Sequence, residues 1–353
     1  MEKIGIMTFH RALNYGAVLQ AYALQQVLRS LGKDAQIIDY RCKRIEKLYA
    51  PFSAGTYTGV VPKMKKLLRW NQMLQKRKKF DAFSRKYLQL SAPCHDKAKL
   101  SAVAKDFAVC ITGSDQVFHL GETGGDTSYF LDFLNAGQRK VAYAASFGNK
   151  RTDKEIVAPL LQSFDKLSVR ERSVLALTEE LSGQSATLTL DPVLLLDNSA
   201  WQTLWQKPKN APEQYVLAYM MAGSDRVTEK LYRCAEENLC TPVIVNPTWK
   251  QTLKNRDCRQ FAAASPEEFL WLLGNAQAVV TNSFHGLAFA IVFRKPFYVE
   301  LTNPERADRL RDLLKLLELE DRILPCENSN PIDWDRIEIL LARYKEISTA
   351  FLQ

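Results

Sequence analysis

Short apolar runs alternate with helical periodicity along almost the whole chain. The runs Lys3–Met7 and 35–40 flank an apolar helical pattern over 16–31. This order is that of a βαβ unit, in which a helix connects two parallel strands. Further strand patterns in the first half lie at 107–112, 140–144 and Lys166–Val169. The first half is therefore predicted to be an α/β domain with a parallel sheet.

A second alternation begins after a polar stretch at 198–212, which we interpret as the interdomain linker. Ser265, Pro266 and Glu268 form a capping box at the start of one of its helices. The predicted domains are an N-terminal domain (1–200) with a basic helical insert (41–90), a C-terminal domain (212–335) and a C-terminal helix (336–353). The predicted elements of the second half are strands at Tyr215–Tyr219 and 242–245, and helices at 225–238 and 266–273.

The segment 278–300 shows the clearest local pattern in the chain, that of a strand, a tight turn and a helix. A β-branched run ends at Thr281, Asn282 and Ser283, and an apolar helical run follows from Gly286 to Phe293. His285 would lie in the turn between strand and helix, where backbone N–H groups and the helix dipole favour an anion. A histidine there is suited to proton transfer. The alternative is an ordinary helix-capping histidine.

Polar residues follow the other strands at their carboxyl ends, where ligands bind in doubly wound sheets. Arg170 follows one strand and is suited to holding a phosphate or carboxylate through two hydrogen bonds. Each residue also has a purely structural interpretation as a helix cap, a turn former or an ion-pair partner. The candidate substrate-binding residues at two further strand ends are Asn14, Tyr15 and Gly16, and Ser114, Asp115 and Gln116.

The composition is that of a globular protein. The chain has 353 residues, 46% of them hydrophobic and 25% charged, as expected for two globular domains. It contains no apolar run of about 20 residues that would span a bilayer and no signal-peptide pattern, so we expect a cytoplasmic location. The seven cysteines show no CxxC pair or zinc-site spacing, and we expect no metal site. The chain also lacks the dinucleotide, Walker, GxSxG and HExxH motifs.

The net charge of +9 is concentrated in one segment. Ten of the residues from Lys63 to Lys86 are Lys or Arg, Asp81 is the single acid, and apolar residues are interleaved with them. This pattern predicts a basic amphipathic helix. Such a surface suits an anionic membrane, a pyrophosphate-linked lipid or a nucleic acid, although no nucleic-acid-binding motif supports the third. A solvated helical face is the alternative.

Seven segments taken together are similar to the polysaccharide pyruvyltransferases. They occur in the order expected for that family and extend from residue 14 to about residue 322, with the insert at 41–90 as the weakest part. The segments are NYGAVLQAYALQ (14–25), GSDQVF (113–118), YFLDF (129–133), KVAYAASFG (140–148), SVRE (168–171), LDPV (190–193) and TNSFHGLAFAIVFRKPF (281–297).

The resemblance implies a GT-B-like fold of two facing doubly wound α/β domains with an interdomain cleft. It also implies phosphoenolpyruvate as donor, a pair of sugar hydroxyls as acceptor, a cyclic ketal on a cell-surface polysaccharide or lipid-linked precursor as product, and no cofactor. His285 and Arg170 are the predicted catalytic residues, and by resemblance His285 is the acid or a phosphate ligand. Members of the family carry an arginine two residues before this histidine, where this chain has Ser283. Arg309 is a candidate substitute, and Ser283 and Arg309 are both predicted to bind substrate.

The sequence also fits two other functions. A GT-B glycosyltransferase that uses a nucleotide sugar would place a pyrophosphate at the same helix terminus. A non-catalytic protein that binds an anionic surface polymer or lipid would rely on the basic segment instead.

Overall fold

The computed structural model describes residues 2–49, 63–148, 152–247, 251, 257–302, 304–326 and 330–353, with only the backbone of 63–69 and 304–306. The chain divides into two compact units. The first unit contains Met1–Leu67, Asp81–Leu195 and Arg343–Gln353, and the second contains Leu68–Phe80 and Leu196–Ala342. The end of the C-terminal helix thus belongs to the first unit, and part of the basic helix belongs to the second.

The first unit is built on a six-stranded sheet of order β2-β1-β3-β4-β5-β6, in which all pairings are parallel. The strand order reverses between β1 and β3, which makes their carboxyl ends the topological switch point of the sheet. The strands are β1 Lys3–Met7, β2 Asp34–Ile37, β3 Val109–Asp115, β4 Arg139–Ala145, β5 Lys166–Val169 and β6 Thr187–Leu188.

Helices cover this sheet and bury its apolar strands. Helix α1 shows how the sequence places them: Asn14 caps its N-terminus, and most of its residues from Tyr15 to Leu28 are buried. The helices of the first half of the chain are α1 Tyr15–Ser30, α2 Lys43–Leu48, α3 Lys63–Tyr87, α4 Lys97–Ala104, α5 Leu120–Thr123, α6 Lys154–Leu161 and α7 Leu175–Ser182.

The second unit has a five-stranded parallel sheet of order β11-β10-β7-β8-β9. Its switch point lies between β7 and β10. The strands are β7 Tyr215–Tyr219, β8 Thr241–Val245, β9 Arg259–Phe261, β10 Ala278–Thr281 and β11 Phe297–Val299. The helices of the second half of the chain are α8 Asn198–Gln202, α9 Asp225–Glu237, α10 Pro266–Gly274, α11 Phe284–Val292, α12 Pro304–Leu316 and α13 Trp334–Leu352.

The predicted strands and helices named above are confirmed as elements, with shifts of a few residues at their ends. The capping box at Ser265 and Glu268 is present at the start of α10. Helix α11 begins at Phe284 and not at Gly286, because Ser283 acts as its N-cap. The predicted linker contains the short helix α8, whose N-cap is Asp197. Two parallel-sheet α/β domains, as predicted, are therefore present.

The basic segment forms helix α3, as its pattern predicts. Buried positions recur on one side of the helix, at Lys76, Phe80, Phe83 and Ser84. Positions 50–62 of the insert and the side chains of its first basic residues, from Lys63 to Arg69, lie outside the described residues. Within the described part of the chain, no helix combines the length and apolar character needed to span a bilayer.

Candidate functional site

The strand-to-helix turn that carries His285 is shaped by short polar side chains. The Ser283 hydroxyl caps α11 by accepting from Gly286 N at 3.4 Å, and Ser283 N donates to Thr281 Oγ1 at 3.0 Å. His285 lies in the first turn of α11, is 7% exposed and contacts Phe284 edge-to-face. The first-turn N–H groups of a helix have no partner within the helix and favour an anion. The turn thus combines an imidazole with a helix N-terminus, whose dipole favours an anion.

Asn282 connects this turn to the neighbouring strand end. Its Oδ1 accepts from Met221 N at 2.8 Å, and its Nδ2 donates to Ala222 O at 2.9 Å. Because β7 and β10 are adjacent, these bonds join the two loops at the switch point of the second sheet. Ligands of doubly wound sheets bind at such points. His285 therefore lies at the switch point of the second sheet, and its role in ligand binding stays a prediction.

Gly286 fits this turn because it lacks a side chain. A Cβ built on Gly286 would lie 2.4 Å from Thr281 Oγ1, a distance that real Cβ atoms do not show. The close approach keeps α11 against the end of β10. The glycine after His285 therefore fixes the position of the helix terminus.

Ser283 and Arg309 occupy different elements of the second unit. Ser283 fills the N-cap, the position that serine prefers, so the residue that replaces the expected arginine has a local structural role. Arg309 is half-buried on α12, and α12 packs against α11. A contact between Arg309 and a ligand of the His285 turn stays a prediction.

In the first unit, the predicted residues around Asn14 form the start of α1. Asn14 Oδ1 accepts from Gly16 N at 2.9 Å and from Ala17 N at 3.4 Å. Tyr15 and Gly16 are buried in the first turn of the helix. The structural interpretation of Asn14 as a helix cap is confirmed, and the binding role of these three residues stays a prediction.

The predicted residues at the end of β3 lie beside them at the first switch point. Ser114 N donates to Gln20 Oε1 at 3.0 Å, Gln20 Nε2 donates to Thr8 Oγ1 at 2.7 Å, and Thr8 Oγ1 donates to Ser114 O at 3.3 Å. The ring of bonds ties the carboxyl ends of β1 and β3 to α1. Asp115 adopts a left-handed φ of 75°, and Gln116 is half-buried in the loop that follows. Ser114 is therefore a fixed, fully buried part of the scaffold.

Arg170 lies among carboxylates. Its Nη1 donates to Asp191 Oδ2 at 2.6 Å, its Nε donates to Glu171 Oε1 at 3.1 Å, and its Nη2 lies 3.7 Å from Asp115 Oδ1. Ser114 Oγ also donates to Asp191, at 3.0 Å. Burial alone would lower the pKa of Arg170, but the three carboxylates raise it above its usual value. The guanidinium stays charged and joins the ends of β3 and β5 to the segment after β6.

Sequence reasoning missed three residues that organise these sites. Asp191 is visible in the LDPV segment, but its pairing with Arg170 is not. Asn282 occurs in the quoted turn, but its bonds to the loop after β7 depend on the strand order. The Nε2 atom of His10 lies 3.1 Å from Asp39 Oδ1, and its Nδ1 atom lies 3.2 Å from Thr8 O.

Among the described residues, no cluster of His, Cys, Asp and Glu is arranged to hold a metal, and metal independence stays a prediction.

Comparison with known proteins gives a family for most of the chain. A family model described as "Polysaccharide pyruvyl transferase" matches residues 14–301. None of the curated proteins matches the chain.

Solved structures share the fold at low sequence identity. A putative UDP-N-acetylglucosamine 2-epimerase from Listeria monocytogenes has a TM-score of 0.50 at 12% identity, over 100% of this chain and 90% of the epimerase. The UDP-GlcNAc 2-epimerase from Neisseria meningitidis, bound to UDP-GlcNAc, also has a TM-score of 0.50, at 9% identity, over 100% and 94% of the two chains. At such identity the likeness shows the fold alone, and that fold is GT-B.

Proposed function

The chain belongs to the polysaccharide pyruvyl transferase family, and on this basis we propose that it transfers the pyruvyl group of phosphoenolpyruvate to a sugar. The acceptor is a pair of hydroxyls, and the product is a cyclic ketal on a capsule, exopolysaccharide or other cell-surface polysaccharide, or on its lipid-linked precursor. The reaction uses no cofactor beyond the phosphoenolpyruvate itself.

The reaction has a simple proton balance. A proton adds to the CH2 carbon of phosphoenolpyruvate and produces a methyl group and a cationic C2. One hydroxyl attacks C2, phosphate leaves, and the second hydroxyl closes the ketal. Of the two hydroxyl protons released, one balances the proton that formed the methyl group and the other leaves on phosphate. The protein must therefore bind an anion, deliver one proton and accept two.

The observation that carries the proposal is the position of His285 in the first turn of α11, at the β7/β10 switch point. Phosphoenolpyruvate carries about three negative charges, which favour a helix N-terminus and cations. An imidazole at that terminus is suited to protonate the donor or to hold its phosphate. Arg309 is proposed as a further cation, and Ser283 as a contact from the cap of the same helix.

The first unit supplies the proposed acceptor side. Asn14, Tyr15 and Gly16 lie at the start of α1, and Ser114, Asp115 and Gln116 follow β3. Arg170 holds Asp115 within the carboxylate cluster, and so fixes a carboxylate that is suited to accept a hydroxyl proton. A direct contact between Arg170 and the donor is the alternative within the same proposal.

A nucleotide sugar is the second candidate donor. The Neisseria meningitidis epimerase of the same fold is bound to UDP-GlcNAc, and a pyrophosphate would suit the terminus of α11 equally well. In that case the chain would be a glycosyltransferase of GT-B fold. A non-catalytic binder of anionic polymer or lipid is a third candidate, favoured by the exposed basic positions of α3.

The donor is tested by calorimetry and by product analysis. Wild-type protein should bind phosphoenolpyruvate and, with an acceptor oligosaccharide, release phosphate and produce a ketal methyl signal in NMR spectra. The variant His285→Asn should lose transfer by a factor of about 100 or more, the range for loss of a general acid. His95→Asn, at an exposed histidine of the first unit, is the matched control. Binding of UDP-sugars without phosphoenolpyruvate binding would reject the pyruvyl donor.

A further inference from the structure

Glu300 lies at the carboxyl end of β11, beside the strand that leads into the His285 turn. It directly follows β11, and its backbone N donates to Thr281 O at 2.9 Å. In the register of the sheet, Thr281 pairs with Val299, the residue before Glu300. Adjacent strands of a sheet are about 4.8 Å apart. Glu300 therefore lies one strand away from the turn, at the same edge of the second sheet.

The carboxylate of Glu300 is almost buried and has no partner. The residue is 8% exposed, and its Oε2 atom is shielded from solvent and accepts no hydrogen bond. No hydrogen bond or ion pair of this side chain occurs in the part of the chain that the structure describes. A carboxylate that leaves water loses its hydration, which is costly unless hydrogen bonds or opposite charges replace it. A ligand that donates hydrogen bonds would compensate for this loss.

Other nearly buried acids of the chain differ from Glu300. Asp191 accepts a hydrogen bond from Arg170. Glu267 is 9% exposed, and its Oε2 atom also accepts no hydrogen bond. It lies in the first turn of α10, however, where the helix dipole stabilises a negative charge. Glu300 lies in no helix, so neither kind of compensation applies to it.

The chemistry of this position favours hydroxyl groups. An ionised carboxylate only accepts hydrogen bonds, and its two oxygen atoms match two adjacent O–H donors. Such hydrogen bonds are stronger than those between neutral groups. A second anion would be repelled by the carboxylate, whereas the N-terminus of α11, one strand away, favours an anion. The edge of β10 and β11 therefore suits a ligand pair or a ligand that brings a phosphate and two hydroxyls close together.

We propose that Glu300 binds a pair of sugar hydroxyls beside the phosphate group at the N-terminus of α11. Phosphoenolpyruvate has no hydroxyl, so the pair comes from a sugar. The inference rests on the proposed function, in which the reacting hydroxyls of the acceptor must lie beside the donor, and it adds the residue that holds them there. The ribose of a nucleotide is a second source of the same chemistry.

The test compares Glu300→Met with Glu267→Met, which removes the other glutamate described above. Each variant and the wild type are titrated in a calorimeter with inorganic phosphate and with the 1-phosphates of glucose, galactose and mannose. At least one hexose 1-phosphate should bind the wild type more tightly than inorganic phosphate does. Glu300→Met should weaken that binding about 10- to 100-fold, the range for loss of hydrogen bonds to a charged group, and should leave the affinity for inorganic phosphate unchanged. Glu267→Met should change neither affinity.

Thermal midpoints without ligand distinguish a binding role from a structural one. Glu300→Met should melt at or above the temperature of the wild type, because Met removes a buried charge that has no partner. Glu267→Met should melt lower, because it loses the interaction with the dipole of α10. A lower midpoint of Glu300→Met with wild-type affinity for the hexose 1-phosphate overturns the proposal. Equal weakening of hexose 1-phosphate and inorganic phosphate also overturns it, as does a wild type that does not prefer any hexose 1-phosphate.

A second measurement uses Glu300→Gln, which keeps the size and polarity of the side chain, and monodeoxy analogues of the preferred hexose 1-phosphate. Removal of either of two hydroxyls should weaken binding to the wild type. The same two analogues should bind Glu300→Gln about as well as the parent compound does, because the charged acceptor is already lost. If every analogue loses the same affinity in both proteins, Glu300 does not contact a hydroxyl.

Two further ligands separate this inference from the proposed function. If the wild type binds phosphoenolpyruvate and Glu300→Met binds hexose 1-phosphates like the wild type, the role of Glu300 fails and the donor assignment stands. If UDP binding depends on Glu300 and phosphoenolpyruvate does not bind, the role of Glu300 stands with ribose as the sugar, and the donor assignment fails. Dependence of the hexose 1-phosphates alone on Glu300 identifies the acceptor as the source of the hydroxyls.

Discussion

Arg170 donates to Asp191 across 2.6 Å, and both side chains are almost completely buried. Two more carboxylates, of Glu171 and Asp115, lie within 3.7 Å of the same guanidinium. The arginine that sequence reasoning assigns to phosphate binding is therefore engaged by acids of its own domain. Its removal would leave those acids buried without their cation.

The first prediction follows from this cluster. Arg170→Ala should lower the free energy of unfolding by about 3 kcal/mol or more, because loss of one partner strands a buried charge. Urea denaturation measures the change. Arg172→Ala, at an exposed arginine two residues later, should stay within about 0.5 kcal/mol of wild type. A stable Arg170→Ala protein that has lost only activity would show that ligand contact is the main role of this residue.

The second prediction concerns acid stability and Asp39. Burial by itself would raise the pKa of Asp39, but the hydrogen bond and charge of His10 and the charges of Arg11 and Arg41 lower it from 3.8 to about 2. A lowered folded-state pKa stabilises the fold above the unfolded value, near pH 4, and this stabilisation is lost as the pH falls towards 2. The contribution is on the order of 2 kcal/mol.

Asp39→Asn tests this dependence. The difference in unfolding free energy between wild type and Asp39→Asn should be large near pH 5 and should shrink between pH 4 and pH 2. Asp106→Asn, at an exposed aspartate, controls for the loss of one charge. A difference that does not change with pH would contradict the role of the His10 and arginine contacts.

The third prediction concerns the glycine after His285. Gly286→Ala should displace the start of α11 from β10, because its Cβ would meet Thr281 Oγ1 at 2.4 Å. We expect a loss of about 1 to 3 kcal/mol in stability together with weaker anion binding. Gly223→Ala is the matched control, since its Cβ would find its nearest neighbour at 3.7 Å. If Gly286→Ala binds phosphate with the affinity of the wild type, the N-terminus of α11 is not part of the binding site.

The fourth prediction tests Arg309 as a donor contact. Arg309→Met should raise the dissociation constant for phosphoenolpyruvate about 10-fold or more, the effect of losing a charged hydrogen bond. Arg311→Met is the control, because Arg311 pairs with Asp308 on the same helix at 2.9 Å. If Arg309→Met and Arg311→Met bind phosphoenolpyruvate with equal affinity, Arg309 does not contact the donor.

The fifth prediction concerns the exposed face of α3, whose exposed basic residues in the described part of the helix are Lys78, Arg85 and Lys86. Changing all three to Glu should weaken association with anionic vesicles or a lipid-linked acceptor, and should leave turnover of a soluble acceptor unchanged. Each charge near an anionic surface contributes about 1 kcal/mol, which salt screens. Lys76 and Lys79 are left intact, because one is buried and the other pairs with Glu268.

A control with equal charge change distinguishes a specific face from net charge. Changing three exposed lysines of other surfaces, Lys105, Lys166 and Lys209, to Glu should have little effect on vesicle binding. Vesicle binding that is equally weak in both triple variants would indicate a non-specific effect of net charge.

The sequence by itself determined the elements and their order. Alternating apolar runs predict the strands because a buried parallel strand is apolar on both faces. The His285 turn was readable because its signals are local: a β-branched run, a capping serine and an apolar helix within about 20 residues of chain. The family resemblance lies in the same short segments, and the match over residues 14–301 confirms it.

The tertiary structure decided what each charged side chain does. Arg170 and its partner Asp191 are 21 residues apart, and Lys76 and its hydrogen-bond partner Asn246 are 170 residues apart. A strand-end arginine and a basic helix look the same in sequence whether their charges face solvent, a ligand or an acid. Their contacts depend on strand order and on the face of a helix that packs inward. Local periodicity does not tell which single lysine of a basic helix will be buried. Long-range packing alone therefore separates Lys76 from Lys78.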